Sequence, residues 1–165
     1  MIQVLFVCLG NICRSPMAEA VFRKQVAEAG LSEQITVDSA GTGDWHIGKP
    51  PHEGTIKILD QYTISYEGMQ ARQVHPNDYE QFTYIVCMDN SNLSNVNAML
   101  ESAGVAKNAH DEKKADLLLF MDLLPDHEVR EVPDPYYTGN FDFVYELIVA
   151  GGEALLHKIK SEQKL

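Results

Sequence analysis

The sequence lacks any apolar run of membrane-spanning length, and no basic segment precedes an apolar one at its N-terminus. It therefore predicts neither a membrane anchor nor an export signal. Internal repeats, low-complexity tracts and a linker between two halves are also absent from the sequence. A chain of 165 residues with 45% hydrophobic residues is typical of one compact domain, which we expect to span residues 1–165.

Cysteines and basic residues are scarce. The three cysteines, Cys8, Cys13 and Cys87, are odd in number and lack the spacing of a structural zinc site. Free thiols fit a reducing compartment, so we expect a cytoplasmic protein that uses no metal or other cofactor. Lys and Arg total 13 against 24 Asp and Glu, and the resulting net charge of −11 disfavours nucleic acid and anionic membranes as partners.

Apolar runs and longer helix-forming segments alternate along the chain. The apolar runs predict strands at residues 4–7, 35–37, 84–88 and 117–121. Helices are predicted at residues 18–29, 52–62, 91–101 and 141–160, and surface loops at residues 40–51 and 124–140. Ser15 is expected to cap the first helix, with Pro16 at its first position. The alternation predicts an α/β fold with an open, mostly parallel sheet and helices on both faces.

Residues 8–15, with the sequence CLGNICRS, link the first predicted strand to the first predicted helix. Gly10 and Asn11 tolerate the left-handed backbone angles that a tight loop requires. Such a loop at a helix N-terminus can turn its backbone N–H groups toward one point, which favours an anion. Ligands of parallel sheets also bind beyond the carboxyl ends of strands, where this segment lies. The segment therefore predicts a cradle for a phosphoryl group.

Cys8 and Arg14 stand near the two ends of this segment. The planar guanidinium of Arg14 can donate to two phosphoryl oxygens at once. Its charge and the helix N-terminus also favour the thiolate form of Cys8, which is the nucleophilic form. The same Cys-to-Arg spacing occurs by chance as a buried cysteine and a surface arginine. Here it coincides with a strand end, permissive loop residues and a helix start, which favours a nucleophile and a phosphate clamp.

The run from Val7 to Pro16, VCLGNICRSP, resembles the signature of the low-molecular-weight protein tyrosine phosphatases. The similarity continues in the family's order at DSAG (38–41), ARQ (71–73), CMD (87–89) and DPYY (134–137), and so covers nearly the whole chain. It implies a four-stranded parallel sheet of the phosphotyrosine phosphatase I-like, flavodoxin-like three-layer type. It also implies hydrolysis of phosphotyrosine in proteins through a cysteinyl-phosphate intermediate, with a cognate tyrosine kinase as counterpart.

The resemblance implies roles for individual residues. Asp134 would protonate the leaving phenolate and then activate the water that hydrolyses the Cys8 phosphoenzyme. Ser15 corresponds to the residue that hydrogen-bonds the thiolate, Asn11 to the residue that supports the loop, and Cys13 to a cysteine that can form a reversible disulfide with the nucleophile. The catalytic residues are expected to be Cys8, Arg14 and Asp134. The phosphate- and substrate-binding residues are expected to be Leu9, Gly10, Asn11, Ile12, Cys13, Ser15, Trp45, Tyr136 and Tyr137.

The sequence departs from the family at Met69, where many members carry a histidine that reaches toward the phosphate-binding loop. We therefore expect the support of Asn11 to be rearranged. His46, His52 and His75 match no motif, and the sequence assigns them no role.

Three other functions use related features. Arsenate reduction on this fold needs a relay of further cysteines, but no cysteine follows Cys87. Phosphoarginine hydrolysis is associated with a threonine where this chain has Ile12. A non-catalytic phosphate-binding module could dispense with Asp134. These residues favour a phosphotyrosine phosphatase over each alternative.

Overall fold

The computed structural model describes residues 1–105 and 115–165. Among these residues, four parallel strands form one sheet in the order β2-β1-β3-β4, where β1 is Ile2–Cys8, β2 Ile35–Gly41, β3 Tyr84–Cys87 and β4 Asp116–Leu119. The helices are α1 (Arg14–Glu28), α2 (Glu53–Gln61), α3 (Asp78–Gln81), α4 (Asn90–Ser102), α5 (Pro135–Thr138) and α6 (Phe141–Gln163), and a 3₁₀ helix (Phe120–Leu123) follows β4. The predicted four-stranded α/β fold is confirmed.

Strand β1 is apolar throughout its centre because both of its faces are covered. Successive side chains of a strand point to opposite faces of the sheet. Val4 and Phe6 accordingly pack in a core with residues of α1 and α6, whereas Leu5 and Val7 pack in a second core with residues of α4. The sheet is therefore the middle of three layers, as expected for parallel strands.

Helix α1 begins earlier than the sequence predicted, at Arg14, and this changes the role of Ser15. The prediction that Ser15 caps the helix is wrong, because Cys13 occupies the cap position and makes no side-chain capping bond. The Ser15 hydroxyl instead lies 2.9 Å from the Cys8 sulfur. The predicted stop at Gly30 is confirmed, since Gly30 has the left-handed φ of 73° that follows many helices.

The carboxyl ends of the three adjacent strands meet at one edge of the sheet. Cys8, the last residue of β1, pairs with Gly41 at the end of β2, and Val7 pairs with Cys87 at the end of β3. The predicted loop 124–140 reaches the same edge and contains the short helix α5. Within the described residues, no helix has both the length and the apolar character that crossing a membrane requires.

Candidate active site

The 8–15 loop, which we define as residues 8–15 from the last residue of β1 to the start of α1, has carbonyl groups that bond to neighbouring segments. The carbonyls of Cys8, Leu9 and Ile12 accept hydrogen bonds of 2.7–3.0 Å from the amides of Thr42, Gly43 and His52. Within the described part of the chain, the backbone N–H groups of residues 9–13 donate to no acceptor. These amides and the N-terminus of α1 are therefore available to an anion.

Strand β2 approaches the 8–15 loop closely at Gly41. A Cβ atom on Gly41 would lie 2.8 Å from the Leu9 carbonyl oxygen and 3.0 Å from the Asn11 backbone nitrogen. The first distance is too short for a Cβ atom and the second is at the limit, and both neighbours are backbone atoms, so the close approach of the loop to β2 favours glycine here. The DSAG segment therefore ends in glycine for a steric reason.

The Cys8 sulfur has a hydroxyl partner beneath the loop. Its Sγ lies 2.9 Å from the Ser15 Oγ, and both side chains are buried. Ser15 Oγ accepts a hydrogen bond of 2.8 Å from Asn11 Nδ2. Because the hydroxyl accepts from Asn11, its own proton can be donated to sulfur, which stabilises a thiolate. Asn11 and Ser15 do not line the pocket described below, and their side chains bond to each other within the loop.

Asn11 is the loop residue with a left-handed backbone, at φ 57°. Its Nδ2 also donates to Ser39 Oγ at 2.9 Å, and its Oδ1 accepts from the backbone amide of Arg72 at 2.9 Å. Met69 makes no such contact and packs partly buried against the core. In this chain the side chain of Asn11 is therefore supported by Ser39 and by the backbone of Arg72.

Ser39 is held in turn by a buried carboxylate that the sequence did not single out. Its hydroxyl donates to Glu19 Oε1 at 2.6 Å, and Glu19 Oε2 accepts from Arg23 at 2.5 Å. Burial raises the pKa of Glu19 above its ordinary value, and the bonds from Ser39 and Arg23 oppose that rise. A relay of hydrogen bonds therefore runs from the surface to the 8–15 loop.

Arg14 is buried with its guanidinium facing two carboxylates. Nη1 donates to Asp89 Oδ2 at 2.6 Å and to the Val132 carbonyl at 3.0 Å, and Nη2 donates to Asp134 Oδ2 at 3.4 Å. Burial by itself lowers the pKa of Arg14, but the negative charges of Cys8, Asp89 and Asp134 raise it above its ordinary value. Within the described residues, the buried Nε of Arg14 has no partner, so this donor is available to an oxyanion.

Asp134 lies beside the guanidinium of Arg14 and lines the pocket described below. It precedes α5, and its Oδ1 accepts a capping hydrogen bond of 3.1 Å from the Tyr136 amide. Its side chain is 22% exposed, which leaves it accessible from the pocket. A carboxyl group in this position can exchange a proton with a ligand held at Cys8.

One pocket joins these groups. Most of the predicted site residues line it together: Cys8, Leu9, Gly10, Ile12, Cys13, Arg14, Trp45, Asp134, Tyr136 and Tyr137. Trp45, Tyr136 and Tyr137 are more than half exposed and form its rim. His46 also lines the pocket, although the sequence assigned it no role. The rim offers aromatic surface above a floor of hydrogen-bond donors.

The other two cysteines are poor nucleophiles. Burial, reinforced by the negative charges of Cys8 and Asp134, raises the pKa of Cys13 to about 12. Burial also raises the pKa of Cys87 to about 12, and its complete burial confirms the prediction of a core residue. Both thiols are therefore protonated at neutral pH, and all three cysteines are free.

Sequence reasoning missed the roles of Asp89, Glu19 and Ser39. Asp89 follows β3 by two residues and so lies at the same sheet edge as Cys8, which is a signal that topology could have supplied. Ser39 belongs to a strand and Glu19 to a helix, and nothing in their spacing indicates that they meet. Their contact depends on how α1 packs against β2.

Known proteins are similar to this chain over its whole length. The family model for low molecular weight phosphotyrosine protein phosphatase matches residues 3–165. The low molecular weight protein-tyrosine-phosphatase YfkJ of Bacillus subtilis is 50% identical over 165 residues, 100% of both chains. Its crystal structure superposes with a TM-score of 0.89 at 51% identity, covering 98% of this chain and 96% of that chain.

Two further relatives show how far the similarity extends. The low molecular weight protein-tyrosine-phosphatase PtpA of Staphylococcus epidermidis is 42% identical over 100% of this chain and 98% of its own. The crystal structure of DARP, a Drosophila arginine phosphatase, has a TM-score of 0.85 at 31% identity over 96% of this chain and 98% of that chain.

Proposed function

This chain belongs to the low molecular weight phosphotyrosine protein phosphatase family, and we propose that it hydrolyses phosphotyrosine in proteins at the Cys8 pocket. The observation that carries the proposal is the pocket itself. It combines a sulfur with a hydroxyl partner, a buried guanidinium and five backbone amides that donate to no acceptor among the described residues, and the carboxyl group of Asp134 lines it as well.

In the first step, the Cys8 thiolate attacks phosphorus. The amides of residues 9–13 and the guanidinium of Arg14 bind the phosphoryl oxygens, and negative charge develops on the leaving oxygen as its bond to phosphorus breaks. Asp134 gives its proton to that oxygen, and tyrosine leaves as a neutral phenol. The products are a Cys8 phosphoenzyme and an Asp134 carboxylate.

In the second step, the Asp134 carboxylate takes a proton from a water molecule as that water attacks the phosphorus. The sulfur–phosphorus bond breaks, inorganic phosphate forms, and Cys8 returns to the thiolate. The Ser15 hydroxyl, 2.9 Å from the sulfur, stabilises the thiolate as a leaving group. Asp134 ends the cycle protonated, so the step regenerates the starting enzyme.

The rim supports an aromatic ester as substrate. Trp45 and Tyr136 present ring surface beside the donors that would hold the phosphate. A phenyl ring can pack against such walls, whereas a phosphoserine side chain is too short to reach them. We therefore expect tyrosine-phosphorylated proteins as substrates, with a cognate tyrosine kinase that phosphorylates them. Three free cysteines support a cytoplasmic location.

The proposal is tested by turnover of matched phosphopeptides. Phosphotyrosine peptides are expected to release phosphate, and the same peptides carrying phosphoserine are expected to release little. Trapping by acid quench should yield phosphate covalently bound to a peptide that contains Cys8. Turnover without a cysteinyl phosphate would contradict the mechanism, and absence of turnover would favour the non-catalytic phosphate-binding module.

Phosphoarginine is the alternative substrate that most needs a direct comparison, because DARP is named an arginine phosphatase. Ile12 lines the pocket with an apolar side chain and offers no partner to a guanidinium. We therefore expect phosphotyrosine to be preferred over phosphoarginine in parallel assays. A preference for phosphoarginine would overturn the assignment of substrate.

A further inference from the structure

His52 connects two parts of the pocket although it does not line it. Its backbone N–H donates to the Ile12 carbonyl at 2.7 Å, which ties His52 to the 8–15 loop. Its ring stacks on Phe141 with centroids 5.3 Å apart and an interplanar angle of 17°. The same ring meets Tyr136 edge to face, with centroids 5.8 Å apart at 74°. The residue thus contacts the loop that carries Cys8 and the segment that carries Asp134.

The ring of His52 is held in a defined orientation. Nδ1 accepts a capping hydrogen bond of 3.0 Å from the amide of Gly54 at the start of α2. An accepting Nδ1 places the ring proton on Nε2 in the neutral imidazole. The ring of Phe141 also lies against Gly54, since a Cβ atom on Gly54 would lie 2.4 Å from that ring. Phe141 also packs against Ile12 and Cys13.

Tyr136 links the ring of His52 to Asp134, the proposed general acid. Its amide donates to Asp134 Oδ1 at 3.1 Å, so the position of Tyr136 and that of the Asp134 carboxyl are linked. Helix α5 has four residues and contributes little stability of its own. Tyr136 is 54% exposed, and among the described residues its ring contacts the rings of His52 and Tyr137. Of these two ring contacts, the one with His52 reaches the 8–15 loop, and it adds to the direct bonds of Arg14 to Val132 and Asp134.

We infer that His52 is a positioning residue whose ring holds the segment that carries Asp134 at a fixed distance from the 8–15 loop. The inference rests on the proposed function, since it concerns delivery of the proton from Asp134. Proton transfer requires the acid within hydrogen-bond reach of the leaving oxygen, and a small displacement there reduces the rate strongly. Loss of the His52 ring should therefore impair substrates in proportion to their need for the acid.

Two substitutions separate the ring of His52 from its cap. His52→Asn keeps a side-chain acceptor for the Gly54 amide and removes the ring, whereas His52→Phe keeps a ring and removes the acceptor. His157→Asn makes the same chemical change at an exposed position of α6 and serves as the matched control. kcat/KM is measured for a series of aryl phosphates whose leaving phenols differ in acidity, and melting temperature is measured for each variant.

We expect His52→Asn to lower kcat/KM about tenfold for the least acidic phenol and less than about twofold for the most acidic one. His52→Phe should retain the wild-type dependence on the leaving group while its melting temperature falls. An equal loss for every substrate in His52→Asn, or no loss, would overturn the inference. So would a His52→Phe variant with the leaving-group dependence of His52→Asn.

A double-mutant cycle tests the inference independently of the hydrogen bond that caps α2. Tyr136→Leu removes the partner ring, and combining it with His52→Asn should cause no further change in leaving-group dependence. Additive effects would show that the two rings act separately and would overturn the inference. A wild-type protein without phosphatase turnover would instead contradict the proposed function, so the two failures are distinguishable.

Discussion

Arg14 and Asp89 form a hydrogen-bonded ion pair of 2.6 Å between Nη1 and Oδ2, although they are 75 residues apart in the chain. The other oxygen of Asp89 accepts from the Asn92 amide at 2.7 Å and caps α4. One carboxylate therefore fixes both the helix after β3 and the guanidinium that faces Cys8. Arg14 is positioned before a ligand arrives, which reduces the entropy lost when an oxyanion binds.

Asp89→Asn should weaken this positioning while keeping the cap of α4. The amide oxygen can still accept from Asn92, but the charge that faces Arg14 is lost. We expect kcat/KM for aryl phosphates to fall about ten- to a hundredfold, about 1.4–2.8 kcal/mol. Asp122→Asn, which removes the carboxylate of an exposed pair with Arg130, is the control and should change little. Equal effects of the two substitutions would contradict the role of Asp89.

Asp134→Ala should slow the step in which the leaving group departs. General acid catalysis contributes about 10²- to 10⁴-fold, and the loss should be greatest for phenols that leave poorly. Measurement of kcat/KM over a series of substituted phenyl phosphates tests this dependence. Unchanged rates on alkyl-substituted phenyl phosphates would show that Asp134 is not the acid.

Cys8→Ser should abolish turnover and retain binding of inorganic phosphate. The amides of residues 9–13 and Arg14 are unchanged in this variant, but a serine hydroxyl is not ionised at neutral pH. We expect turnover to fall by a factor on the order of 10⁴ or more. Calorimetric titration with phosphate measures the binding. Arg14→Lys provides the contrast, since it should weaken phosphate binding; residual turnover by Cys8→Ser near the wild-type rate would contradict the mechanism.

The buried carboxyl of Glu19 should make stability depend on pH. Its pKa is raised in the folded state, chiefly by burial, so the folded protein keeps this proton at pH values where the unfolded chain has lost it. The stability it contributes is full below the ordinary carboxyl pKa and is lost as pH rises through the raised value. Glu19→Gln removes this pH-dependent contribution to stability because glutamine does not titrate.

We therefore expect wild type to lose stability relative to Glu19→Gln as the pH rises above the ordinary carboxyl pKa, as measured by urea denaturation. Glu28→Gln removes an exposed carboxylate from the same helix and corrects for the general effect of surface charge. A difference between wild type and Glu19→Gln that stays constant as the pH rises would contradict the pKa shift.

The strands and the loop were predictable because their signals are local. Val4 to Val7 are apolar without interruption since both sheet faces bury them, and Gly10 and Asn11 are the residue types that a tight loop requires. Helix α3 was not predicted, as four residues carry no periodic pattern. The cap at Ser15 was predicted wrongly because its hydroxyl serves Cys8. A capping rule reads only neighbouring residues, so it cannot detect a hydrogen-bond partner that lies on another secondary-structure element.

Local sequence was enough to predict the fold class and to place Cys8 and Arg14 on one loop, because backbone propensity and residue spacing act over a few positions. Three contacts became visible only in the folded chain: Asp89 holds Arg14, Ser39 and Glu19 support Asn11, and the ring of His52 lies between two pocket segments. These contacts join residues 20 to 84 positions apart. Their geometry follows from the packing of helices on the sheet, to which each residue's local sequence contributes almost nothing.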